Sequence, residues 1–111
     1  MITFEESSYD QEIEQVIRKG RRDWVGMSTI IPVVLGRVAA DASFEEKAEA
    51  TAALTGLLID HGVVPGDLVA APVDFAPWPG SRAARMERIR EEIVRLGQLP
   101  VSGEIAWFTA T

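Results

Sequence analysis

One histidine, His61, and two glutamates four residues apart, Glu45 and Glu49, are the side chains here whose types could carry acid–base or metal chemistry; there is no cysteine. A nucleophilic triad needs a base that titrates near neutrality, and only His61 qualifies. It falls in the last turn of an expected helix, where the dipole's negative end stabilises an imidazolium, so its expected use is structural. The lack of cysteine removes disulfides, thiolate catalysis and Cys-ligated zinc together. Glu45 and Glu49 share a helical face and could in principle ligate a metal or act as an acid–base pair. Metal sites draw on several convergent ligands, often with a histidine, and carboxylates in a first helical turn are already explained by the helix dipole. The glycines at 56, 62, 66, 80, 97 and 103 fall inside a helix, at helix ends and in turns. Neither a Walker loop nor a GxGxxG after a strand occurs. The expectation is a protein that is not an enzyme, with no catalytic residue, no cofactor and no metal.

Charge is the chemistry that remains. The formal net charge is −6. Seven acids (Asp41, Glu45, Glu46, Glu49, Asp60, Asp67, Asp74) face one base, Lys47, between Asp41 and Gly80, while the flanking stretches balance to zero. An acidic field of this kind repels phosphates and attracts cationic surfaces. Glu45, Glu46, Glu49, Asp67 and Asp74 are the candidate partner-binding carboxylates. Trp78 either folds back with Phe75 over the helices as core cover or serves as the aromatic anchor of these acids, since a large aromatic ringed by charge is a plausible hot-spot arrangement. The expected partner is a basic protein and not nucleic acid. Arg18, Lys19, Arg21 and Arg22 cluster at the end of the first helix and read as complements to its dipole, with a nucleic-acid contact as the alternative.

The element that must position these acids runs from Ser43 to Gly62. Ser43 followed by Glu46 is a capping box, and Gly62 can take the left-handed conformation that closes a helix. Ala50, Leu54, Leu57 and Leu58 form one apolar side; Ala48, Ala52, Gly56 and Ile59 form a second, small-residue side that would let another helix approach closely. A helix apolar on two sides is central. Before it, Ile2 to Phe4 reads as a short strand. Ser8 and Gln11 can cap a helix from Tyr9 to Lys19, with Gly20 as its stop. A second helix is expected from Ser28 to Ala39, distorted at Pro32, with Ile31, Val34, Leu35 and Val38 as its buried face. A short turn at Asp41 and Ala42 would then make a corner with the central helix.

After Gly62 the punctuation changes. Pro65 and Gly66 read as a turn, Asp67 to Ala71 as a strand, and Pro72, Pro77 and Pro79 as brakes that keep the next segment irregular. Ser81 caps a fourth helix ending at Leu96 and Gly97, with Met86, Ile89, Ile93 and Leu96 as a narrow apolar stripe and many i,i+4 charge pairs. The final EIAWFTAT alternates Ile105 and Trp107 against Ala106 and Phe108, a strand with apolar residues on both faces, covered on both sides or used at an interface; its partner would be Asp67 to Ala71 or Ile2 to Phe4. The fold class is therefore α+β in a single domain of 111 residues: four helices with a small two- or three-stranded antiparallel sheet, possible in a winged-helix-like arrangement. Leu54, Leu57, Leu58, Ile89, Ile93 and Trp107 should be buried. No apolar run reaches the ~20 residues of a membrane span, and the acidic start MITFEESSYD is not a signal peptide, so the expected location is the cytoplasm.

Asp23-Trp24-Val25, Gly66-Asp67-Leu68, Phe75-Ala76-Pro77-Trp78, Ile89 with Glu92, Leu96-Gly97 and Gly103-Glu104-Ile105-Ala106-Trp107-Phe108 together make a pattern that resembles a loose group of small uncharacterised bacterial proteins. Some of these look like immunity proteins encoded beside polymorphic toxins. The resemblance implies a bacterial, cytoplasmic protein that binds and neutralises one cognate toxin domain, with no catalytic residues to carry over. The alternative is a winged-helix-like transcriptional regulator or adaptor. Its recognition helix would be Ser43 to His61, whose first turns carry Glu45, Glu46 and Glu49 where DNA readers carry cations.

Overall fold

Ser43 opens the longest helix in the way its sequence dictates. The computed structural model describes residues 11–69, 74–101 and 104–110, and in it α3 spans Phe44–Asp60. The Ser43 hydroxyl accepts the Glu46 N–H at 3.1 Å and the Glu46 carboxylate accepts the Ser43 N–H at 3.0 Å. These are two of the donors that a first turn leaves without helical partners. Gly62, at φ 90°, takes the left-handed conformation just beyond the C-cap. Both apolar sides of α3 are buried, apart from the half-buried Ile59. Thr51 and Thr55 are buried too, because each hydroxyl donates to the carbonyl four residues back, at 2.8 and 2.9 Å.

The small-residue side of α3 receives α4, Arg82–Leu96, which starts at Ser81 and ends at a left-handed Gly97 as its sequence implies. A Cβ on Gly56 would lie 2.6 Å from Met86 Sδ, so the absence of a side chain there makes room for the Met86 thioether between the two helices. They run antiparallel: Arg82 grips Asp60 at the far end of α3 through two bonds of 2.8 and 3.0 Å. Ile89 and Ile93 are buried and Met86 packs partly against the core, whereas Leu96 is exposed.

The first helix, α1 (Gln11–Arg22), does not stop at Gly20. Gly20 is buried inside it, and a Cβ there would sit 3.3 Å from the Ala110 Cβ, so this glycine admits a strand instead of ending a helix. The second helix, α2 (Met27–Leu35), is shorter than expected and capped by Gly26 instead of Ser28. Pro32 lies within it, and the Ser28 carbonyl that its missing N–H would have served is on an exposed residue. Met27, Ile30, Ile31, Val33 and Val34 are buried, Val38 is half-buried, and Leu35 turns outward. Because α2 ends at Leu35, residues 36–43 form a longer connection to α3 than the expected corner.

Among the described residues four antiparallel strands, not two or three, make the sheet, in the order β1-β4-β2-β3: β1 is Val25–Gly26, β2 Val63–Val69, β3 Asp74–Pro77 and β4 Trp107–Ala110. Pro65 and Gly66 lie inside β2, not in a turn. The first half of β2 pairs with β4 and the second half with β3, and Gly66 alone pairs with both, opposite Trp107 and Pro77. Gly66 is suited to this place because the Ala76 carbonyl and the Phe75 ring occupy the space of a Cβ. The C-terminal strand starts late. Ile105 has φ 65° and the Ala106 N–H bonds the Glu104 carbonyl at 2.8 Å, a three-residue turn that removes Ile105 from the strand. The expected Ile2–Phe4 strand, the Ser8 cap, Tyr9, residues 70–73 and Gly103 fall outside the described residues. No helix among the described residues is long and apolar enough to cross a membrane.

Candidate functional site

The structure brings Glu45, Glu46 and Glu49 together on the exposed first turns of α3, with Asp41 exposed just ahead of them. Glu46 serves the helix: the Ser43 backbone N–H, then its hydroxyl, holds the carboxyl below the ordinary glutamate value. Asp41, Glu45 and Glu49 make no ion pair among the described residues.

Two of the remaining acids of the middle third, Asp60 and Asp67, are answered by α4. Asp60 is held by Arg82, and Asp67 lies 3.7 Å from Arg88, which also bonds Glu92 at 2.6 Å. Arg90 pairs with Glu87, which raises the arginine above its ordinary pKa; Glu91 and then Glu49 add smaller contributions to the same field. Asp67 and Asp74 point to one side of the β2–β3 hairpin, since Asp67 stands opposite Ala76, two residues from Asp74. Asp74 accepts the neighbouring Phe75 N–H at 2.8 Å. The hairpin acids are thus separate from the α3 group. Among the described residues, the sequence stretch that reads as one acidic block folds into two arginine-paired acids, a lone exposed Asp74 on the hairpin and an open cluster at the start of α3.

Trp78 is not the exposed anchor of these acids. It is 1% exposed, one of the largest wholly buried side chains, with the Arg88 guanidinium 3.8 Å from its ring centroid. Burial follows from its place one residue beyond β3, where its N–H bonds the Pro65 carbonyl at 3.0 Å and pins the ring against the core. His61 is the C-cap of α3 and half-buried. No group of three or more potential metal-ligating side chains converges among the described residues.

Two surfaces carry more than the sequence reading assigns them. Gln15, Arg18, Lys19 and Arg22 recur at i, i+3, i+4 and i+7 and so share one face of α1. With Asp23 they line a concavity of about 460 Å³. Arg18 pairs with Glu14 at 3.4 Å while its side chain stays 71% exposed, and Lys19 Nζ lies 3.5 Å from Thr29 Oγ1. The spacing was the available signal. The second surface is the outer side of the sheet, where one cross-strand row reads Gly26, Trp107, Gly66, Pro77. Trp107, expected in the core, is half-exposed there, with glycine on both neighbouring strands. Val64, Leu68 and Phe75 share that side and are likewise half-buried. Comparison with protein-family models, with curated proteins and with solved structures gives no match.

Proposed function

We propose that the chain is a non-catalytic binding module whose open acidic cluster at the start of α3 docks a basic protein, and that neutralising a cognate toxin domain is its role. The observation that carries the docking surface is the contrast between paired and unpaired carboxylates. Asp60, Asp67, Glu87 and Glu92 are engaged by arginines of α4, whereas Asp41, Glu45 and Glu49 stay exposed and free of ion pairs among the described residues, as does Asp74, alone on the hairpin. Exposed pairs contribute only ~0–1 kcal/mol each, so such a cluster acts mainly on encounter rate and partner choice. The toxin-neutralising role rests on the family resemblance. The order α2, α3, β2, β3 also fits the regulator alternative, but the first turns of α3 present carboxylates where a DNA reader needs donors to phosphate.

The test is co-purification of the tagged chain with the product of its neighbouring gene, followed by association kinetics. Glu45→Lys with Glu49→Lys is the informative variant, because it leaves Glu46 to close the capping box. A basic partner whose association slows several-fold, with a shallower salt dependence, supports the reading. Unchanged kinetics place the interface elsewhere.

A further inference from the structure

We propose that the basic concavity on α1 receives the acidic turn of a second copy of this chain, giving a head-to-tail self-association that a basic partner would displace. It shares the acidic turn with the function proposed above and adds the basic surface. The two poles lie apart within one molecule. Val63, just past the end of α3, pairs with Ala110, and Gly20 of α1 packs on that same Ala110. The Thr109 hydroxyl also donates to the Gly20 carbonyl at 3.2 Å. The cations flanking Gly20 therefore sit beside the C-terminal end of α3. The free carboxylates sit at its N-terminal end, about 25 Å away along a helix of 17 residues. No copy can close this contact on itself.

The surfaces match in sign, in number and in spacing. Arg18, Lys19 and Arg22 form one, and Asp41, Glu45 and Glu49 the other. Glu45 to Glu49 and Arg18 to Arg22 are each one four-residue step, about 6 Å along a helix, so two helix faces can pair in register. Arg22 makes no ion pair among the described residues, and Arg18 and Lys19 keep only long contacts of 3.4 and 3.5 Å. The net charge of −6 opposes association. At physiological ionic strength, however, the Debye length of about 8 Å screens whole-molecule repulsion more than contacts of ~4 Å. A heterologous contact leaves one pole free on each copy, so chains or a ring follow instead of a closed twofold dimer.

Sedimentation velocity over a concentration series reaching roughly 1 mM protein tests this, since exposed ion pairs are individually weak. The expected result is a mass that rises with concentration at 50–150 mM salt and returns to monomer near 1 M, where the Debye length is about 3 Å. Arg18→Glu with Arg22→Glu should be monomeric, as should Glu45→Lys with Glu49→Lys, each with an unchanged circular dichroism spectrum. An equimolar mixture of the two variants should recover the mass, because one then carries two acidic poles and the other two basic ones. A wild type that stays monomeric, a rise that survives either double variant, or a mixture that fails to associate overturns the proposal. So does a monomeric wild type whose α1 stripe instead binds poly-glutamate or an oligonucleotide. Loss of self-association in the α1 variant with unaltered binding of a basic protein separates this contact from the partner site.

Discussion

The carbonyl of Trp78 accepts two donors from Arg85, Nε at 3.0 Å and Nη2 at 2.7 Å. The cause lies across the sheet. Extending the β2–β3 register by one step places Trp78 opposite Pro65, and the Trp78 N–H does bond the Pro65 carbonyl. An ordinary residue at 65 would return the second bond of that antiparallel pair, but proline has no N–H. The guanidinium substitutes for it and ties α4 to the end of β3. Arg85→Met should leave this carbonyl without a donor and cost about 1–3 kcal/mol. Urea unfolding followed by tryptophan emission reads the loss, and a midpoint equal to wild type would show that water serves the carbonyl equally well.

Two buried glycines make opposite predictions. At Gly66 a methyl group would meet the Phe75 ring and the Ala76 carbonyl of the paired strand, and the carbonyl cannot move without disturbing β2–β3 pairing. Gly66→Ala should therefore cost about 1–3 kcal/mol as overpacking. At Gly56 the obstacles are the Met86 thioether at 2.6 Å and the tip of Arg82 at 2.8 Å, both flexible. The gain in helix propensity, about 1 kcal/mol, offsets their displacement there. Gly56→Ala should melt close to wild type; thermal scans of the two variants side by side give the comparison, and a larger loss at Gly56 would refute it.

What the sequence made legible follows how far each signal reaches. The capping box at Ser43, the cap at Ser81 and the left-handed glycines at 62 and 97 are local rules, and all four stand. Leu54, Leu57, Leu58, Ile89 and Ile93 are buried as helical spacing predicts. Val25–Gly26 carries no strand signal in sequence because two residues cannot show an alternation, and only pairing with Phe108 and Trp107 defines it. Pro65–Gly66 is a turn dipeptide by propensity, overridden because β2 changes partner at that place. The acidic block misled for a related reason. Which carboxylates stay free is decided by arginines at least twenty residues away in sequence, as Asp60 with Arg82 and Asp67 with Arg88 show.

The capping box gives α3 an acid limit. The Glu46 carboxyl is held below the ordinary value of 4.5 by the Ser43 N–H and hydroxyl. A depressed folded pKa contributes stability that is present above the unfolded value and lost as pH falls through the folded one. Glu46→Gln keeps an acceptor for the Ser43 N–H but does not titrate. The stability difference between wild type and Glu46→Gln should therefore be constant from pH 7 to about 5.5 and change only below the ordinary glutamate range. Urea midpoints at half-unit steps supply the curve, and a difference that already changes between pH 7 and 6 would assign it to another group.

Random duplex DNA should bind weakly, and the reason lies in which face carries the cations. The regulator alternative needs the N-terminal turns of α3 in the major groove, and these present Glu45, Glu46 and Glu49. The cations of α4 are largely engaged, Arg82 by Asp60, Arg88 by Glu92 and Arg90 by Glu87. That leaves Arg18, Lys19 and Arg22 on α1 as the main phosphate-ready group among the described residues. Three phosphate contacts carry a salt slope of about −2.7, or a loss of roughly 40-fold in affinity between 50 and 200 mM salt. Anisotropy titration of a labelled duplex should accordingly show no submicromolar binding at 150 mM salt. The weak binding seen at low salt should vanish in Arg18→Glu with Arg22→Glu and persist in Glu45→Lys with Glu49→Lys. Submicromolar binding at 150 mM salt, abolished by substitutions on α3, would reverse the assignment and make α3 a recognition helix.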